Sequence, residues 1–270
     1  MIRIRETSNA LADLAKNSPL TTVNHPAIGW EAVATGISCN VTSQDQLFGN
    51  YLFPTHSLTV TDEVFPLIAR LTGKDTTTNL DIKPAHLTSL SADEFWNDVE
   101  TTFSQFTDNQ KQAGNMVVAY IDAEGFQQPL AQKMLKLFQE KNYPVLLVCE
   151  RLLPRHASET LSNQKSSSVA QLADNASTEW AVVDGNDVIA IAKASGSLTD
   201  RIRKGRGIGF LEAVRFDHDL TNEFSDPIAR LKQAMIARGD INHASFEILQ
   251  TLEKQIINAT VTNYQAVPAI

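Results

Sequence analysis

Residues Met116–Phe126 read MVVAYIDAEGF, and residues Pro144–Leu153 read PVLLVCERLL. Each is an apolar run that stops at charged residues. Between them, PLAQKMLKLFQEKN (residues 129–142) carries a helical pattern. The order is strand, loop, helix, strand, with strands predicted over 116–121 and 144–149. Continuous apolar strands of this kind belong to parallel sheets buried on both faces. In such a unit ligands bind at the loop after the first strand. Here that loop is expected to hold Asp122, Glu124 and Gly125.

The alternation continues in both directions. Upstream, the pattern predicts helices at Ser8–Lys16, Pro26–Cys39 and Thr61–Gly73, with a short strand or turn at Gln46–Phe53. Thr61 or Asp62 is the expected cap of the third helix and Gly73 its stop. Ser91 and Glu94 form a capping box that opens a helix to Phe106. Downstream, the polar stretch 154–168 reads as an exposed loop and Val169–Ala176 as a short helix. Strands follow at Glu179–Val183 and Gly207–Phe216, separated by a helix that Asp187 caps. Two long helices, Asp226–Arg238 and His243–Gln265, end the chain. Strands alternating with helices predict an α/β fold, a parallel sheet covered on both faces, with C-terminal helices. No repeat or linker divides it, so a single domain over 1–270 is expected.

Bulk composition narrows the function classes. The formal net charge of −8 argues against a nucleic-acid partner, which requires a basic face. No apolar run approaches the roughly 18 residues of a membrane span, and the first residues lack the apolar core of a secretion signal. A cytoplasmic, membrane-free location is expected, which makes the sequons at Asn40, Asn175 and Asn258 chance matches. The two cysteines, Cys39 and Cys149, form no C-x-x-C, so neither a zinc ribbon nor a redox pair is indicated. Cys149 is expected to be a buried thiol at the end of its strand.

Candidate chemistry is sparse. Asp122 and Glu124 could bind Mg²⁺ or serve as acid and base, but acidic residues at that place also cap the following helix. The six histidines show no metal-ligand spacing. The Asp217–His218–Asp219 cluster reads as a solvated loop. GRGIG at 205–209 precedes a strand, whereas a dinucleotide fingerprint follows one. Arg201, Arg203, Lys204 and Arg206 end a helix, where positive charge complements the dipole and a structural role is expected.

Seven segments, in order, resemble one family: AIGWEAVATGISCNVTSQDQLFGNY (27–51), FPLIARLTGKDT (65–76), VVAYI (117–121), PVLLVCE (144–150), VVDGNDVIAIAKA (182–194), GIGFLEAVRF (207–216) and DPIARLKQAMIARGDI (226–241). The family is the alpha subunit of the thiamin-diphosphate-dependent, decarboxylating first component of 2-oxo acid dehydrogenase complexes. The resemblance implies a thiamin-diphosphate-binding fold, thiamin diphosphate and Mg²⁺ as cofactors, and a beta-subunit-like partner. In the family, Gly-Asp-Gly follows the VVAYI strand and Asn-Asn follows the next. Glycines let backbone N–H groups approach the diphosphate, and oxygen ligands hold Mg²⁺.

This chain departs from that pattern. Only Asp-Ala-Glu lies between Ile121 and Gly125, and Arg151 and Leu152 stand where Asn-Asn belongs. Leu52 replaces the diphosphate-binding arginine and Pro54 a histidine, while Tyr51 and His56 remain. The resemblance therefore implies Tyr51, Asp122, Glu124 and Arg151 as cofactor contacts, Asp122 as metal ligand, and His56 and His218 as catalytic histidines. The leading expectation is an alpha-subunit-like protein with an eroded site, non-catalytic or repurposed. The first alternative is a working subunit that decarboxylates a 2-oxo acid oxidatively. A second is an anion site built from Arg151, Arg155 and His156. A homodimer is expected for the chain alone.

Overall fold

The computed structural model describes residues 1–17, 28–48, 54–59, 64–71, 85–86, 96–97, 99–101, 113–127, 129–153, 178–216 and 225–266. The strands are β1 (Gln46–Phe48), β2 (Ala85–His86), β3 (Val117–Asp122), β4 (Val145–Leu153), β5 (Glu179–Asp184) and β6 (Gly209–Phe216). They form one six-stranded sheet in the order β2-β1-β3-β4-β6-β5. Every pairing is parallel, as the apolar runs predicted.

Side-chain alternation divides the core between the two faces of the sheet. Val117, Ala119 and Ile121 of β3 and Val145, Leu147 and Cys149 of β4 point to one face. There they meet Phe126 of α4 (Ala123–Gln127) and Met134 and Phe138 of α5 (Pro129–Glu140). Val118 and Tyr120, with Leu146 and Val148, point to the other. That face is covered by α1 (Ile2–Asn17), α2 (Glu31–Ser38), α3 (Val64–Leu71) and α6 (Val188–Arg203). The chain closes with α7 (Pro227–Arg238) and α8 (His243–Ala266).

Polar residues fix the ends of these elements. Asp187 accepts hydrogen bonds from the N–H groups of Ile189 and Ala190, capping α6. Asp226 does the same for α7 through Ile228 and Ala229, with Pro227 in the first turn. Gly239 stops α7 in the left-handed conformation at φ 76°. The arginines that end α6 are structural. Arg203 donates to both carboxylate oxygens of buried Asp45 at 3.0 and 2.6 Å, and to the carbonyl of Gly114 at 2.7 Å. Arg201 pairs with Glu179 at 2.6 Å.

Three expected boundaries are corrected. No open loop follows β3: Asp122 is its last residue and α4 begins at Ala123. The Asp122 carboxylate accepts the Gly125 N–H at 2.9 Å and closes the turn at once. Strand β4 does not stop at Cys149, which lies inside it, but runs through Arg151 and Leu152 to Leu153. Strand β6 is long enough to pair with all of it, matching Arg151 with Val214 and Leu152 with Arg215. Helix α2 starts at Glu31, not at Pro26. Gly29 at φ 94° turns the chain just before it, and its N–H is taken by the Glu31 carboxylate at 2.8 Å.

The caps expected at Thr61 or Asp62, the stop at Gly73, the Ser91–Glu94 box, the loop 154–168 and the helix at 169–176 lie outside the described residues. Among the described residues no helix is long and apolar enough to cross a membrane.

Candidate functional site

The sheet directs attention to one edge. The chain leaving β1 turns to the α1–α3 face, where Leu58 and Val64 join the core. The chain leaving β3 turns to the α4–α5 face through Phe126. Connections that diverge in this way open a crevice at the carboxyl ends of neighbouring strands, the usual ligand position in α/β sheets. Tyr120, Asp122 and Glu150 stand at these strand ends, and the buried His56 packs against Tyr120 and Glu150.

His56 sits in the 3-10 turn Pro54–Thr59. Its Nε2 is 2.5 Å from Oε1 of Glu150, and both side chains are fully buried. The His56 ring meets the Tyr120 ring edge-on, with centroids 5.0 Å apart and planes at 83°. Burial, helped by the Glu150 charge, pushes the Tyr120 phenol well above its ordinary value, so it stays protonated. Its hydroxyl has no hydrogen-bond partner among the described residues. The carboxylate fixes the imidazole, as in orienting pairs of enzymes. Here, however, the pair is sealed within the protein.

Arg151 lies on the opposite face, where its Nη1 donates to Glu212 at 3.0 Å. Cys149 is buried. Burial, reinforced by the negative charges of Glu212, Asp122 and Glu150, raises its thiol well above the ordinary value. It therefore remains a protonated, unreactive thiol.

A third cluster surrounds Arg215 at the end of β6. Its Nε donates to Asn186 at 2.9 Å, and its guanidinium stacks 4.9 Å over the Trp30 ring. A Cβ on Gly29 would fall 2.2 Å from this guanidinium, and one on Gly185 would fall 2.7 Å from the Arg215 stem. Nearby, Arg5 joins buried Glu31 to Asp226, the latter at 3.0 Å. Burial pushes Asp226 upward, but hydrogen bonding and charge from Arg5, with two backbone N–H groups, hold it below its ordinary value. Burial opposes the Arg5 charge, yet its bonds to Glu31 and Asp226 hold its value above the ordinary one.

Of the residues singled out in the sequence, His56 is buried against Glu150, whose partner across the β3–β4 ladder is Asp122. Glu124 is exposed on α4 and Arg151 faces the other side of the sheet. Tyr51, Arg155, His156 and His218 lie outside the described residues. Sequence reasoning missed Glu150, Glu212 and Arg215. Their signal was a charged residue inside an apolar strand, in PVLLVCE and GIGFLEAVRF. Such residues stand out because an unpaired buried charge is costly.

Among the described residues, Asp122, Gly125 and Arg151 do not fit a site for thiamin diphosphate and Mg²⁺. Gly125 is buried, and a Cβ there would lie 2.7 Å from Ile121 and 2.8 Å from Asp122, so its small size serves packing of α4 on β3. Asp122 caps that helix, and Arg151 is paired with Glu212 on the opposite face of the sheet. Among the described residues no group of three or more His, Cys, Asp or Glu could hold a metal ion. In sequence comparison, no family model and no curated protein matches this chain.

Proposed function

We propose that the chain is a diverged, non-catalytic relative of the alpha subunit of 2-oxo acid dehydrogenases, on a thiamin-diphosphate-type fold. It would act as a partner or regulator, not as a decarboxylase. The lineage is supported by an all-parallel sheet covered on both faces and by the C-terminal helices. Three of the resembling segments lie on this sheet and its connection: VVAYI in β3, PVLLVCE in β4 and VVDGNDV across the turn from β5 into α6.

One observation carries this reading. Among the described residues, three charged or ionisable groups at the carboxyl edge of the sheet are engaged within the protein. Glu150 holds His56 at 2.5 Å, Glu212 holds Arg151 at 3.0 Å and Asp122 holds the Gly125 N–H at 2.9 Å. A diphosphate site would instead aim N–H groups and oxygen ligands outward at the anion and its metal.

The test is calorimetric titration with thiamin diphosphate and Mg²⁺, alone and with a beta-like subunit, alongside thermal melting. A functional site at a hundredfold excess over Kd would add about 2.7 kcal/mol of stability. Neither heat nor a melting shift is expected. Tight Mg²⁺-dependent binding would overturn the proposal and favour a working subunit.

A further inference from the structure

The start of α1 brings a charge into apolar surroundings. Met1 lines a groove of about 470 Å³, together with Ile4 of α1, Leu58, Leu231 and Met235 of α7, and Leu249 of α8. Helix α7 leaves this space unfilled, since Pro227 is its only buried residue. The volume falls within the roughly 300–1,000 Å³ of small-molecule sites, which are likewise mostly apolar with a few polar groups.

The polar groups here are few, and two of them are unused. Among the described residues the Met1 α-amino group makes no hydrogen bond and no ion pair. Its charged neighbours are engaged elsewhere. Arg3 donates through Nε and Nη2 to both carboxylate oxygens of Glu253, each at 2.9 Å, and Arg5 is bonded to Glu31 and Asp226. Burial therefore holds the α-amino group below its ordinary value of 8.0, and the charges of Glu31 and Glu253, opposed by those of Arg3 and Arg5, do not restore it. The second unused group is the Thr35 hydroxyl, also in the lining, whose buried Oγ1 has no hydrogen-bond partner. A cation held at apolar surface without a counter-ion is costly, and an anion entering the groove relieves that cost.

We propose that the groove binds a single-chain anionic amphiphile, an aliphatic carboxylate whose chain lies against α7 and α8 and whose head pairs with the Met1 ammonium. The lining selects this class. A cationic head would meet the ammonium as a like charge, and a neutral one would leave it unpaired. A wholly polar anion would set its own polar groups against Ile4, Leu231 and Leu249, where they find no partners. The inference is independent of the proposed lineage, since none of these residues belongs to the His56–Glu150 pair or to the Arg151–Glu212 pair.

The test is calorimetric titration at neutral pH with decanoate, decanol and decylammonium. Decanoate should bind with a Kd of about 100 µM or tighter. It should exceed decanol by about tenfold or more, because a charge-assisted bond replaces an unpaired cation, and decylammonium should be weaker still. Acetylation of the α-amino group should remove the preference for decanoate over decanol. Leu249→Glu puts a carboxylate on the wall at a residue that is 49% exposed, and should weaken decanoate about tenfold or more with unchanged circular dichroism. Leu152→Glu, which adds the same charge on β4 outside the groove, should change nothing. Met235→Trp fills the groove and should abolish binding of all three probes. No decanoate binding at millimolar concentration overturns the proposal. So does equal affinity for decanoate and decanol, a preference that survives acetylation, or a loss that Leu152→Glu causes equally. If Met235→Trp fails to fold, Leu249→Glu decides in its place, because that side chain is already half in water.

Discussion

A methyl group on Gly125 would lie 2.7 Å from two carbons of Ile121 and 2.8 Å from the carboxylate that caps α4. All three atoms belong to side chains at the end of β3, so relief requires the buried Ile121 or the capping Asp122 to shift. Gly125→Ala should cost about 1–3 kcal/mol in urea denaturation, and a stability equal to wild type would return this glycine to the role of a ligand contact. The His56–Glu150 pair makes a different prediction. Removing either partner leaves a buried polar group behind, at about 3–5 kcal/mol. The double change His56→Leu with Glu150→Leu should cost less than the sum of the singles, with a coupling of about 1–3 kcal/mol in a double-mutant cycle. Strict additivity would mean that the two do not act as a pair. Asp226 makes a prediction for pH. Its folded-state value lies below the ordinary 3.8, so the unfolded chain binds that proton more tightly. The stabilisation is complete above about pH 5 and fades as the pH falls through 3.8 toward the folded value. Asp226→Asn should therefore flatten the acid side of the stability profile, and a profile as steep as wild type would deny Asp226 that role.

At the level of elements, patterns that depend on many residues were legible and boundaries that depend on one contact were not. The runs in β3, β4 and β6 announced a parallel sheet because burial on both faces demands apolar side chains at every position. The cap at Asp187 was legible because a side chain bonding its own helix is a local event. By contrast, α2 starts late because Gly29 takes φ 94° beside Arg215, 186 positions away. Strand β4 runs past its apolar stretch because β6 pairs with Arg151 and Leu152. No local signal carries either fact. Asp187 also receives Arg230 at 2.8 Å, which links the start of α6 to α7. Asp187→Ala should thus cost more than the roughly 1 kcal/mol of a lost cap. Arg230→Met should keep the cap but lose that excess together with the Arg230–Asp184 pair, as thermal melting of the two variants would show.

For the whole molecule, the candidate site was half legible. His56 and Asp122 could be singled out from sequence, but Glu150 could not be assigned to His56 because 94 positions separate them. Only the sheet order brings them together. That order also sets a gradient of stability. Strands β3, β4 and β6 lie inside the sheet, and most of their apolar residues are buried on its two faces. Their amides should open only with global unfolding. Helix α7 has one buried residue and rests against a groove, so it should open at lower free energy. Hydrogen exchange followed by mass spectrometry separates these cases: β4 should stay at the global limit, while residues 228–238 of α7 exchange at lower free energy. Protection of α7 as high as that of β4 would overturn this gradient.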